Sequence, residues 1–314
     1  MILYFTQEVL MSAIKLIAID LDDTLLHDDI SVSDYTKKVL KSAMDKGVKI
    51  VIATGRMFQA ARPWGQAIGL GDVPMICYTG SMTGLCERGK VLRDVRIDYD
   101  LEILSVIREH GWYAHTYIDD ELYVPFRDER TDAYEKQCGV KAHVAGDDFY
   151  TPKKAPTKIL VCDYDMEVMK EIESVLRTGY ADKVGQVKSK PFFFEMYNKE
   201  CSKGNAVKAL AETYGIEPSE IMAFGNGNND ASMLRMAGSS FAVANASPSA
   251  KEAAKGLNNA NGFIKHEVNS RIKMRRIPDF HFIADDSTEY SAGIAKILNS
   301  LDIRHDDEEG TEEE

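Results

Sequence analysis

Four side chains in the stretch Lys15 to Leu26, KLIAIDLDDTLL, could act on one chemical group: Asp20, Asp22, Asp23 and Thr24. Three carboxylates this close repel one another unless a cation lies among them. Hard oxygen donors on a tight loop suit Mg²⁺, which takes one or two carboxylates and completes its shell with phosphate oxygens and water. Phosphoryl transfer needs a nucleophile, charge neutralisation and a proton donor for the leaving oxygen, and these residues offer two of the three. Asp20 could attack phosphorus and split one hard step into two. Asp22 could protonate the leaving oxygen and then activate water, and its backbone carbonyl could face the metal.

The element that must position these acids is the run before them. Leu16 to Asp20 is apolar and stops on acid, which reads as a buried strand of a parallel sheet covered on both faces. Ligands bind outside the carboxyl ends of such strands. An acidic turn without function would share the composition, but a strand ending in DxDxT is a far rarer pattern.

The chain then continues in the order of an α/β fold. Ser33 can cap a helix running to about Lys46, and Gly47 ends it. Val48–Ala53 is a second buried strand ending at Thr54-Gly55-Arg56, which makes a βαβ unit. A third strand, Met75–Tyr78, ends at Thr79-Gly80-Ser81. From about Met82 the order becomes mixed. Strands at Val91–Ile97, Trp112–Tyr117 and Leu122–Val124 surround a helix near Leu101–His110. KILVCD at Lys158–Asp163, a helix at Met166–Leu176 and strands near Val184–Lys188 and Phe192–Tyr197 follow. The core resumes with a helix at Lys203–Tyr214, a strand at Ile221–Phe224 ending in GNGNND, a strand at Phe241–Val243 and a helix from Pro248. The expected architecture is a doubly wound parallel core, residues 14–82 and 199–256, interrupted by an inserted α+β cap domain, residues 83–198. Its linkers are expected near Gly80–Gly84 and Asn198–Ser202.

DxDxT at Asp20–Thr24, TGR at Thr54–Arg56, SKG at Ser202–Gly204 and the ND of Asn229-Asp230 together resemble the motifs of the haloacid dehalogenase superfamily, in particular its Cof-type phosphatases with a C2B cap. The resemblance covers about residues 14–255 and implies a Rossmann-like core. It implies Asp20 as nucleophile, Asp22 as general acid/base and Thr24 as the hydroxyl that orients the loop. Thr54 and Lys203 would hold the phosphoryl group, with Gly55, Arg56, Gly80 and Asn229 on the substrate side. Asp20, Asp22, Asn226 and Asp230 would form the Mg²⁺ site. The substrates implied are small phosphorylated metabolites such as sugar phosphates, flavin mononucleotide or pyridoxal phosphate.

Two positions depart from that pattern. Asn226 stands where the family has a metal-binding Asp. An amide oxygen can coordinate Mg²⁺ but brings no charge, so the chain is an active variant with weaker metal binding, a mutated one, or one that has lost turnover. The presence of Asp20, Asp22, Thr54 and Lys203 favours the first. Thr79-Gly80-Ser81 replaces Asn-Gly-Ala, which leaves the hinge contact open.

Composition narrows the alternatives. At 314 residues the chain is long enough for two domains. The net charge is −12, and residues 306–314, DDEEGTEEE, carry seven of the negatives, so global charge does not suggest nucleic-acid binding. Residues 305–314 read as an acidic disordered tail, and residues 1–13 as an extension without a signal peptide, with Met11 a possible start. Five scattered cysteines read as free thiols of a reducing cytoplasm. No apolar run approaches the ~20 residues that span a bilayer. Residues 256–301 resemble the second half of ribosome-binding factor A, through Ala260-Asn261-Gly262, a basic helix through Arg271–Arg276 and IPDFHFIADDS. That would make 257–304 a partial KH-like segment able to touch RNA or the ribosome, although a fusion remnant is more economical. The alternatives to a phosphatase are therefore a low-turnover protein that binds a phosphorylated ligand and a ribosome-associated module.

Overall fold

The computed structural model describes residues 14–26, 31–243 and 245–254. The proposed extension at 1–13, the partial KH-like segment at 257–304 and the acidic tail lie outside the described residues.

Strand β1 (Leu16–Asp20) is the middle one of the five parallel strands of the first, seven-stranded sheet. It pairs in parallel with β2 (Lys49–Ala53) on one side and β12 (Ile221–Gly225) on the other. Beyond β2 come β3 (Pro74–Cys77), β4 (Met82–Leu85) and β5 (Val91–Asp94), and beyond β12 comes β13 (Ser239–Ala242). Successive residues of β1 feed opposite cores. Leu16 and Ala18 pack with helices α6 (Lys203–Thr213), α7 (Ala231–Met236) and α8 (Pro248–Ala253). Ile19 packs on the other face with α1 (Asp34–Asp45) and α2 (Phe58–Ile68). This two-sided burial is why β1 and β2 are continuous apolar runs. Each buried Leu or Ile contributes ~1.5–3 kcal/mol. The fold is α/β with a Rossmann-like core, as the strand–helix order implies.

A second, six-stranded sheet runs β10 (Val184–Lys190), β11 (Phe193–Asn198), β9 (Lys158–Cys162), β6 (Ala114–Ile118), β7 (Glu121–Val124) and β8 (Ala142–Val144). Its strands are antiparallel except for the β7–β8 pair. Ile159 and Val161 point to one face, where α3 (Asp100–His110) and α5 (Met166–Tyr180) cover them. The alternate residues Leu160 and Cys162 join the apolar cluster that also holds Ile19, Met57 and Phe58 of the first sheet's layer. The second sheet therefore turns one face toward the carboxyl end of β1.

The boundary between the sheets differs from expectation. Residues 83–94 were expected in the insert, but β4 pairs antiparallel with β3, and β5 with β4. The turn at Tyr78–Gly80 reverses the chain into a hairpin that extends the first sheet. The expected strand Val91–Ile97 accordingly stops at Asp94. Helix α4 (Glu129–Cys138) was not expected. Its sequence ERTDAYEKQC is mostly polar and carries little apolar periodicity. Among the described residues no helix is long and apolar enough to cross a membrane.

Candidate active site

Asp20 ends β1 and is buried. The next residues form one turn, Leu21–Leu25, closed by Leu26 N–H donating to the Leu21 carbonyl at 2.9 Å. Asp23 sits at φ 56°, a left-handed conformation that Asp tolerates better than bulkier residues. Asp20, Asp22 and Asp23 line a cavity of about 540 Å³, a size that suits a small molecule. The Thr24 hydroxyl is buried and has no hydrogen-bond partner, so the loop-orienting bond expected of it is not made here.

Lys203 opens α6 and is fully buried. Its ammonium donates to Asp20 Oδ1 at 2.6 Å and to Asp230 Oδ1 at 2.6 Å. Two glycines allow this approach. A Cβ on Gly204 would fall 2.5 Å from the Ser232 carbonyl, so only glycine lets α6 pack this closely on α7. Gly80, at φ +108°, has no room for a Cβ against the Ser202 carbonyl that precedes Lys203. Gly80 was expected on the substrate side. It instead holds the α6 terminus, and the neighbouring Thr79 lines the cavity.

The charges in this cluster hold one another. Burial lifts the Asp20 carboxyl to about 7, against the opposing pull of Lys203, with Asp230 and Asp22 adding to the rise. Burial alone would lower the Lys203 ammonium, but Asp20 and Asp230 hold it above its ordinary range.

Asp230 does not have the free oxygens expected of a metal ligand. Its Oδ1 takes Lys203, and its Oδ2 accepts the backbone N–H groups of Asn226 at 2.9 Å and Gly227 at 2.8 Å. It shapes the loop that carries Asn226. Asn226 and Asn229 line the cavity. Arg56, expected on the substrate side, is engaged with Asp22. Its Nε lies 3.0 Å from both carboxylate oxygens, and an Nη lies 2.5 Å from one of them. Thr54 reaches the same carboxylate at 3.4 Å and accepts the Arg56 N–H at 3.1 Å. Gly55 lines the cavity between them.

The far wall comes from the second sheet and was not foreseen. Lys158, Leu160, Lys190, Phe193 and Glu195 line it, with Tyr134 of α4. Lys158 donates to Glu195 at 2.9 Å, both residues being buried. The Lys158 ammonium also lies 4.9 Å from the centre of the Tyr117 ring. A charge inside the buried run KILVC, and another inside FFFEMY, were the available signals, since buried charges persist only when paired. Asp120, in the β6–β7 turn, ties this wall to the first sheet. It accepts the N–H groups of Phe58 at 2.9 Å and Gln59 at 2.7 Å, and the Tyr78 hydroxyl at 2.8 Å. Burial raises its carboxyl to about 6, although these three donors pull it down.

A buried nucleophile-type carboxylate, a lysine beside it, a second acid on the next turn and a hydroxyl at the end of β2 form one group. The family model for haloacid dehalogenase-like hydrolases matches residues 17–263. The chain belongs to this family. YxeH of Bacillus subtilis, which carries a provisional phosphatase name, is 33% identical over 247 residues, 76% of this chain and 91% of that protein. The HMP-PP phosphatase of Serratia proteamaculans is 29% identical over 247 residues, 76% of this chain and 86% of the relative. Among solved structures, TM0651 of Thermotoga maritima superposes with a TM-score of 0.70 at 28% identity, covering 77% of this chain and 90% of that one. This haloacid dehalogenase-like hydrolase is a phosphatase. The resemblance of residues 256–301 to ribosome-binding factor A finds no support in these comparisons.

Proposed function

We propose that this phosphatase hydrolyses small phosphorylated metabolites through an aspartyl-phosphate intermediate and depends on Mg²⁺. The observation that carries the reading is the buried Asp20–Lys203 contact at 2.6 Å at the carboxyl end of the central strand. A carboxylate held in this way can attack phosphorus in line, while the ammonium offsets charge on the phosphoryl oxygens. Asp22 then serves the leaving oxygen. Arg56 must give up part of its hold on Asp22 when the acid works, and is thereby free to meet the incoming phosphate.

The residues that would hold the metal are Asp20, the Asp22 carbonyl and Asn226. All three are hard oxygen donors, and two are neutral, so the set fits Mg²⁺ with several of its own waters retained. When bound, the ion would neutralise phosphoryl charge and favour ionised Asp20. Asp230 supports this set through the Asn226 and Gly227 amides rather than joining it.

Asn226 also favours a second reading, a protein that binds a phosphorylated ligand with little turnover. One experiment separates the two. Purified full-length protein should hydrolyse p-nitrophenyl phosphate with Mg²⁺ and stop on chelation. Acid-quenched protein should carry a phosphoryl adduct on the peptide that contains Asp20. Absence of both turnover and adduct, with retained binding of the ester, would leave the second reading.

A further inference from the structure

The cavity wall contributed by the second sheet carries more positive charge than its own carboxylates balance. Its lining includes Lys158, Lys188 and Lys190 against a single acid, Glu195. Glu195 is already occupied: it accepts from Lys158 at 2.9 Å and from the Ser189 hydroxyl at 2.5 Å. Lys188 is paired with Glu173 of α5, which is not part of the lining. On the opposite wall Arg56 is held by Asp22.

Lys190 is the one lining cation without a carboxylate partner among the described residues. Its ammonium stands over two rings, 5.8 Å from the centre of Phe192 and 5.5 Å from that of Phe193. Ring faces attract and orient an ammonium but do not neutralise it. Phe193 lines the cavity, with the Tyr134 ring 6.0 Å from it. The two walls therefore present different things to a ligand: Asp20, backed by the buried Lys203, and Asn226 for a phosphoryl group on one, and aromatic surface with the unpaired cation Lys190 on the other. Low-dielectric walls focus the field of such a charge into the cavity.

We infer that the preferred substrate is a small phosphomonoester whose leaving group carries a second anionic group, and that Lys190 selects it. The inference rests on the phosphatase reading for the placement of the scissile phosphate. It names the chemistry of the other end of the molecule: a carboxylate or a second phosphate, separated from the first by a short, partly apolar stem that can lie against Phe193 and Tyr134.

Matched pairs of esters test it with the full-length protein. Fructose 1,6-bisphosphate against fructose 6-phosphate asks about a second phosphate, and phosphoglycolate against ethyl phosphate asks about a carboxylate. In at least one pair the doubly anionic member should show kcat/KM at least tenfold higher, mainly through KM. Lys190→Gln should abolish that advantage, and Lys190→Arg should keep most of it. The same pairs should be titrated calorimetrically into Asp20→Asn, which removes turnover from the question. If none of these esters is hydrolysed by the unaltered protein, p-nitrophenyl phosphate decides whether the proposed turnover fails, and the titrations alone decide this inference. Equal binding within both pairs would overturn it, and so would Lys190→Gln weakening both members of a pair by the same factor.

Discussion

The carboxylate of Asp120 accepts the backbone N–H of Gln59, 61 positions earlier in the chain, at 2.7 Å. The contact makes a turn of the second sheet the N-terminal cap of α2, whose first turn follows Thr54-Gly55-Arg56. Removing a cap of this kind costs ~0.5–2 kcal/mol. Asp120→Ala should therefore leave the fold intact but loosen the cavity, lowering kcat/KM roughly 3- to 30-fold. Amide exchange at Phe58 and Gln59 should accelerate. Exchange rates equal to those of the unaltered protein would mean that the contact does not hold in solution.

Asp20→Asn and Lys203→Met should separate chemistry from folding. In Asp20→Asn the lysine keeps its bond to Asp230, so thermal stability should change little. Turnover of p-nitrophenyl phosphate should fall by a factor on the order of 10⁴ or more, the scale seen when a hydrolase loses its nucleophile. Lys203→Met leaves two buried carboxylates facing each other without their cation, at a cost of ~3–5 kcal/mol. Its denaturation midpoint should drop clearly below that of Asp20→Asn. Near-normal activity in Asp20→Asn would remove Asp20 from the mechanism.

Asn226→Asp tests the metal assignment. The backbone amide of Asn226 is already held by Asp230, so the substitution changes the donor without freeing the loop. A charged ligand in place of an amide should be worth at least ~1.5 kcal/mol, the scale of bonds to charged groups. The Mg²⁺ concentration for half-maximal activity should fall by roughly tenfold, the factor that ~1.4 kcal/mol represents. An unchanged Mg²⁺ requirement would show that residue 226 does not face the ion.

His115 makes stability depend on pH. It is fully buried in β6, its Nδ1 has no protein partner, and burial, with Lys158 adding to it, lowers its pKa from 6.5 to about 3. Between these two values the unfolded chain binds a proton that the folded chain does not. Stability therefore rises with pH across the window and is lost as pH falls from 6.5 toward 3. The whole effect is of order 5 kcal/mol at most, reached only at the acid end. His115→Gln should flatten this part of the profile in urea denaturation between pH 4 and 7, whatever its offset in absolute stability. An equally steep profile would assign the acid sensitivity to other groups.

The amino-acid sequence by itself determined the central strand, the βαβ order and the placement of four motifs at strand ends and helix starts. These are local facts. The acid that stops LIAID, the threonine after KIVIA and the lysine after Ser202 are read from their immediate neighbours and from the period of burial. Tertiary structure alone decided what each charge touches. Asp230 became a brace for the Asn226 loop because Lys203, 27 positions away, takes its other oxygen. Arg56 became a partner of Asp22 across 34 positions. Residues 83–94 joined the first sheet because β3 had an open edge to pair, which composition does not reveal. The second wall of the cavity depended on Lys158 and Glu195 meeting across two strands, and on a polar helix, α4, whose weak periodicity concealed it. Ion pairing is set by residues distant in sequence: a charge inside a buried run signals that a partner exists, but not which residue the fold brings to it.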